Sequence, residues 1–174
     1  MSILTTTTTT TATLVHDDAY FEAEEIYRRR LRWSGFGTRT QPMRDLPSKY
    51  KVTDPEYPPC RYQYGFGVTY QWLINYARHH NLIEEPKSDD PEDNRASLVV
   101  YSLINTARHL RYICRTRIKY ACPISFDYDV VFALYSNHTQ EDEELEDKDH
   151  AEVVEILSKE LECPEGPMWF EDAA

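Results

Sequence analysis

The sequence predicts an α+β fold: a small, mostly antiparallel sheet covered by about four helices, behind a disordered threonine-rich leader. Three observations carry this reading. Apolar residues recur at spacings of three and four in the longer segments, the helical period. In two later runs large apolar residues recur at every second position, Ile118, Tyr120 and Cys122 and then Phe126, Tyr128, Val130, Phe132 and Leu134, the strand period. The segments follow in the order helix, strand, helix, helix, strand, strand, helix, which lacks the β-α-β alternation of a parallel sheet and places helices on one face of an antiparallel one.

Residues 5–13 are almost pure threonine. Such a tract buries too little to offset the entropy of ordering it, so 1–15 reads as a leader and 16–174 as one domain. The first helix is expected from Asp18 to Trp33, with Tyr20, Ala23, Tyr27 and Leu31 on one inward face. Its acids, Glu22, Glu24 and Glu25, come early and its arginines, Arg28, Arg29, Arg30 and Arg32, come late, the order that suits the helix dipole. Gly35 is a plausible stop. Pro42, Pro47, Pro55, Pro58 and Pro59 make 36–59 a long loop wrapping the domain, with at most a short strand near Lys49–Val52.

Arg61–Phe66 reads as a tyrosine-rich strand, broken by Gly65 and Gly67. Thr69 can cap a helix running to about Asn81, with Trp72, Tyr76 and Ile83 on one apolar line and Leu73 and Ala77 on another. The third helix is the clearest: Ala96, Val100, Leu103, Ala107, Leu110 and Cys114 form a seam spaced 4, 3, 4, 3, 4. Over Tyr128–Asn137 the alternation favours a strand, with a helix capped by Asp127 as the alternative. Asp149 and Glu152 form a capping box for a last helix to about Glu162, its inward line being Val154, Leu157 and Leu161. After Gly166-Pro167, the run Met168-Trp169-Phe170 either docks on the chain's own core as an added edge strand or is presented to a partner as a linear motif.

The net charge of −11 disfavours bulk attraction to nucleic acid or anionic membrane, but it is unevenly spread. Residues 94–120 carry Arg95, Arg108, Arg111, Arg115, Arg117 and Lys119 with no acid, while 141–165 carry twelve acids against two lysines. Arg108, Arg111 and Arg115 share one helix face, and internal neutralisation by the acidic stretches 84–93 and 141–147 is the expectation. The four cysteines, Cys60, Cys114, Cys122 and Cys163, lack paired spacing and read as reduced thiols. No export signal or membrane span is legible, so a cytoplasmic or nuclear protein is expected, and Asn137-His138-Thr139 reads as a chance glycosylation triplet.

Catalytic motifs are lacking. There is no G-x-S-x-G, no P-loop and no H-E-x-x-H. Gly65-Phe66-Gly67 opens a helix at Thr69, where backbone amides can hold an anion. Tyr70, however, stands where a dinucleotide fingerprint needs a small residue. The stretch also fails as an RNA-binding sheet motif at Tyr64, Val68 and Gln71. His79 and His80 are adjacent on a helix and point apart, while His109, His138 and His150 stand alone, so a metal site needs tertiary convergence that sequence cannot show. Asp127 and Asp129 share a strand face, which most often means a solvated edge or a helix start.

The expected function is thus a non-catalytic interaction or scaffold domain with an unknown protein partner and no cofactor or metal. Arg108, Arg111, Arg115, Trp169 and Phe170 are its expected partner-binding residues. The alternatives are a small enzyme around an anion site at Gly65, Gly67 and Thr69, and nucleic-acid binding through the arginine face.

Overall fold

The computed structural model describes residues 11–85 and 91–174. It is α+β, with a four-stranded antiparallel sheet and helices on its main face. The chain runs α1 (Thr11–Trp33), β1 (Tyr62–Val68), α2 (Tyr70–His79), α3 (Pro91–Cys114), β2 (Lys119–Ala121), β3 (Val130–Ser136), α4 (Gln140–Glu143), α5 (Asp147–Glu160) and β4 (Met168–Glu171). No helix among the described residues is long and apolar enough to cross a membrane. The first ten residues of the expected leader lie outside the described ones, and Thr11–Val15 enter α1.

The strand order is β2-β3-β1-β4. β3 is buried throughout, because seven consecutive apolar or small residues from Val130 to Ser136 let both faces be covered. The strand reading of 130–136 therefore holds over the helical alternative. Both predicted breakers, Gly65 and Gly67, instead lie inside β1. Gly65 faces Ala133 beside a register shift, where an added Cβ would stand 2.1 Å from the Phe132 carbonyl oxygen. At Gly67 a Cβ would stand 2.7 Å from the Tyr128 ring. Glycine is needed at both because backbone or ring fills the space a side chain would take.

One face of the sheet carries the main core, with Phe66, Phe132 and Leu134 against Leu73 of α2, Leu110 of α3 and Leu157 of α5. The second face holds a smaller cluster of Val131, Ala133 and Phe170, with Tyr128 and Met168 beside it. The residues after β2 reach the far edge of β4. Ile124 N donates to Glu171 O (2.8 Å), and Ala173 N donates to Cys122 O (2.9 Å). Hydrogen bonding therefore runs from β2 through β3, β1 and β4 and back to the segment following β2, which protects the outer edge of β4. Met43, in the proline-rich loop, covers the rest of that edge by exchanging bonds with Trp169 (2.9 and 2.7 Å). The strand allowed near Lys49–Val52 is a 3-10 turn at Ser48–Tyr50.

Three inward faces differ from expectation. In α1 the line Tyr20, Tyr27 and Leu31 points outward at 65%, 66% and 64% exposure, and Ala23 is exposed with it. The inward face instead carries Phe21, Ile26, Trp33 and the buried Arg29, whose guanidinium pairs with the buried Asp129. In α3 the predicted seam holds at Ala107, Leu110 and Cys114, all buried, but in the first half of the helix Leu98, Ser102 and Thr106 are buried while Val100 is 51% exposed. Ser102 and Thr106 are small enough to be fully buried although hydropathy does not mark them as core residues. In α5 Val153 takes the buried place expected of Val154. The capping box does not form, since the helix begins at Asp147 with no side-chain cap.

Candidate functional site

α2 begins as its sequence suggests: Thr69 Oγ1 accepts from Trp72 N at 3.1 Å. The next free amide, Tyr70 N, donates to Asp129 Oδ2 (2.8 Å). An internal carboxylate therefore takes the anion's place at this helix start. Gly65 and Gly67 lie in β1, paired with Ala133 and Val131 of β3, and do not form an open cradle. The anion reading of Gly65, Gly67 and Thr69 is corrected accordingly. Asp127 is exposed and apart from this arrangement.

Trp169 and Phe170 form β4 and are 6% and 2% exposed. Glu171 next to them is buried and accepts from Tyr62 Oη (3.0 Å) and Arg39 Nε (2.6 Å). The chain's own sheet takes these aromatic residues, which corrects their reading as partner-binding residues. Arg108 and Arg115 are exposed, and Arg111 Nε donates to Ile118 O (2.6 Å). Among the described residues no ion pair joins 141–147 to Arg108, Arg111 or Arg115, and 86–90 of the other acidic stretch lie outside the described residues. Among the described residues, Glu143 pairs instead with Lys119 (2.6 Å) and Arg117 (3.7 Å). With them on the outer surface of α3 stand Tyr101 and Tyr112, 61% and 81% exposed.

Tertiary folding brings together a group that the sequence keeps far apart. α2 and α5 each end with a residue in the left-handed region, Asn81 (φ 53°) and Glu162 (φ 53°). Leu82 N donates to Ala77 O (2.8 Å) and Cys163 N to Ser158 O (2.9 Å), so both ends are closed by paired backbone bonds. These closures hold His80 and Glu160 in place. Asn105 of α3 donates to Leu82 O (2.8 Å), tying α3 to the end of α2. His109 of α3 completes the group: one ligand-capable atom from each of His80, His109 and Glu160 lies within 4.8 Å of the others.

Tyr76 is the inner wall of this group. Its hydroxyl donates to Glu160 Oε2 (3.0 Å), and its ring lies against His80 (4.2 Å between centroids) and Trp72 (4.9 Å). Burial, then the bond to Glu160, push the phenol's pKa up, so it stays a donor. The buried Cys114 nearby is pushed up to about 11, by burial and then by Glu160. Outward, the group opens on a cleft of about 580 Å³ lined by Trp72, Asn75, His79 and Lys159 among others.

A second cleft, of about 480 Å³, separates α1 from α3, with Phe21, Tyr70, Val99 and Val100 on its walls and Glu24, Arg28 and Arg95 at its rim. Arg95 of α3 lies over the Phe21 ring of α1 (5.4 Å) and donates to Gln71 of α2 (3.1 Å). The outward α1 line runs beside this cleft. The four-residue spacing of Tyr76 and His80 was visible in the sequence, but the approach of His109 and Glu160 was not. No protein-family model, curated protein or solved structure matches this chain.

Proposed function

We propose that the protein is a non-catalytic interaction domain that joins a second copy of itself through the outward face of α1, the two helices lying antiparallel. The supporting observation is the exposed line Tyr20, Tyr27 and Leu31, three large apolar side chains on one side of a helix whose other side is already engaged. The charge order of α1 argues for the occupant. Glu22 and Glu24 lie in its first half and Arg28, Arg30 and Arg32 in its second. Antiparallel pairing sets acids against arginines at both ends, whereas parallel pairing sets like against like. A stable interface needs about 800 Å² per partner, more than three side chains supply, and the exposed Val100 beside the α1–α3 cleft extends the surface. Light scattering on a sizing column tests this. Wild type is expected at twice the chain mass, and Y27E/L31E at the chain mass with an unchanged circular-dichroism spectrum. A wild-type protein that stays monomeric up to its solubility limit overturns the reading.

A second reading rests on α3, where Tyr101, Arg108, Tyr112 and Arg115 form an exposed line of rings and guanidinium groups. That combination suits an acidic partner surface or a nucleic-acid strand, through charge and stacking. Retention on heparin at low salt, lost in R108E/R115E, supports it. Passage straight through the column removes it.

A further inference from the structure

We propose that His80, His109 and Glu160 form a binding site for a divalent transition-metal ion of the zinc class, with one coordination side open to the cleft. Two imidazole nitrogens and one carboxylate oxygen suit borderline metals such as zinc or ferrous iron, whereas calcium and magnesium prefer all-oxygen shells. The geometry is close to closing. Three atoms within 4.8 Å of one another share a centre at most about 2.8 Å from each, against metal bonds of roughly 2.1 Å. An inward shift of about 0.7 Å per side chain completes the shell, within the reach of small rotamer adjustments.

Two surrounding features favour a cation here. Tyr76 donates to Glu160 Oε2, which fixes the carboxylate and leaves its other oxygen available. His80 and Glu160 sit at the C-terminal ends of α2 and α5, where the helix dipoles present partial negative charge. His80 Nε2 stands 4.0 Å from Glu160 Oε2, the oxygen that Tyr76 holds, so no hydrogen bond joins the imidazole to that oxygen. His79, the neighbour in sequence, lines the same cleft without belonging to the group, which supplies an internal control.

The test uses the full chain after dialysis against a chelator. Zinc ion alone is titrated in competition with a chromophoric chelator, and cobalt ion is added in parallel for its visible spectrum. One equivalent of zinc and an intense tetrahedral cobalt band are expected. H109A and E160Q should each lose binding by more than about 100-fold, Y76F by roughly 10–100-fold, and H79A should keep it. Wild type carries an independent readout that needs no variant: zinc should protect His80 and His109, but not His79, from acylation by diethyl pyrocarbonate mapped by mass spectrometry. The proposal is overturned if zinc is not taken up stoichiometrically. It is equally overturned if uptake survives in folded H109A and E160Q, or if zinc leaves the acylation of His80 and His109 unchanged.

Discussion

Asp129 does the most at the residue scale. Its carboxylate, in a side chain 4% exposed, meets the Arg29 guanidinium, 7% exposed, and accepts the Tyr70 amide at the start of α2. One residue thus joins α1, the entry to β3 and the head of α2. Removing it strips the buried guanidinium of the carboxylate it is bonded to, and Arg29 Nε already has no acceptor. D129L should cost about 3–5 kcal/mol in urea unfolding, and R29M/D129L should recover part of it, since replacing both charges removes the orphan. The neighbouring Glu25 behaves in the opposite way. Burial, then the nearby Asp129, raise its pKa above the ordinary 4.5, against the pull of Arg95, Arg29 and Arg28. A raised carboxyl penalises the folded state once it ionises. That penalty is absent below pH 4.5, where folded and unfolded chains are both protonated, and it grows as pH rises through the folded value. E25Q should therefore melt higher than wild type at neutral pH, with the gap closing as pH falls below the ordinary glutamate range.

At the scale of elements, β1 shows how a strand can be set by what it lacks. Alanine at 67 would put its Cβ 2.7 Å from the Tyr128 ring and 2.9 Å from Phe170, side chains that can turn aside, so G67A should cost about 1–3 kcal/mol. Alanine at 65 would meet the Phe132 carbonyl oxygen and the Ala133 Cα, main-chain atoms that cannot yield. G65A should lose more stability in the same denaturation series, and an equal loss would show that the register shift at Tyr64/Gly65 absorbs the methyl. The sequence marks these glycines but reads them as strand breakers, because local rules see permissive backbone and not the opposing strand. The apolar strand at 130–136 and the threonine cap at 69 were legible because each depends on residues adjacent in sequence. The α1 face was not, since the buried Arg29 is set by Asp129, 100 residues away. The α3 seam was legible at Ala107, Leu110 and Cys114 but not in its first half, where Ser102 and Thr106 are buried and Val100 is exposed. The candidate metal group is the extreme of this. Its spacings of 29 and 51 residues carry no local signal.

For the whole molecule, the segregation of charge is resolved in part. Glu143 holds Lys119 and Arg117, and Asp129 holds Arg29, yet the other three α1 arginines, Arg28, Arg30 and Arg32, are exposed. An isolated ion pair such as Arg28–Glu24, on exposed side chains, adds little to the stability of one copy. The same charges matter more if two α1 helices lie antiparallel, because they then decide which surfaces can meet. E22R/E24R reverses the charge of Glu22 and Glu24, and R28E/R30E/R32E reverses that of the three exposed arginines of α1. Each variant alone should fall to the chain mass in light scattering, from like-charge repulsion along the full interface. Mixed in equal amounts they should recover the doubled mass, since basic now faces acidic, and the recovery should fade as salt is raised. Wild type should weaken less with salt than the mixed pair, because its tyrosine and leucine contacts are unchanged while its charge pairs are fewer. If both variants remain dimeric alone, α1 is not the contact. If neither associates alone and the mixture stays monomeric, electrostatic matching along α1 does not select the partner.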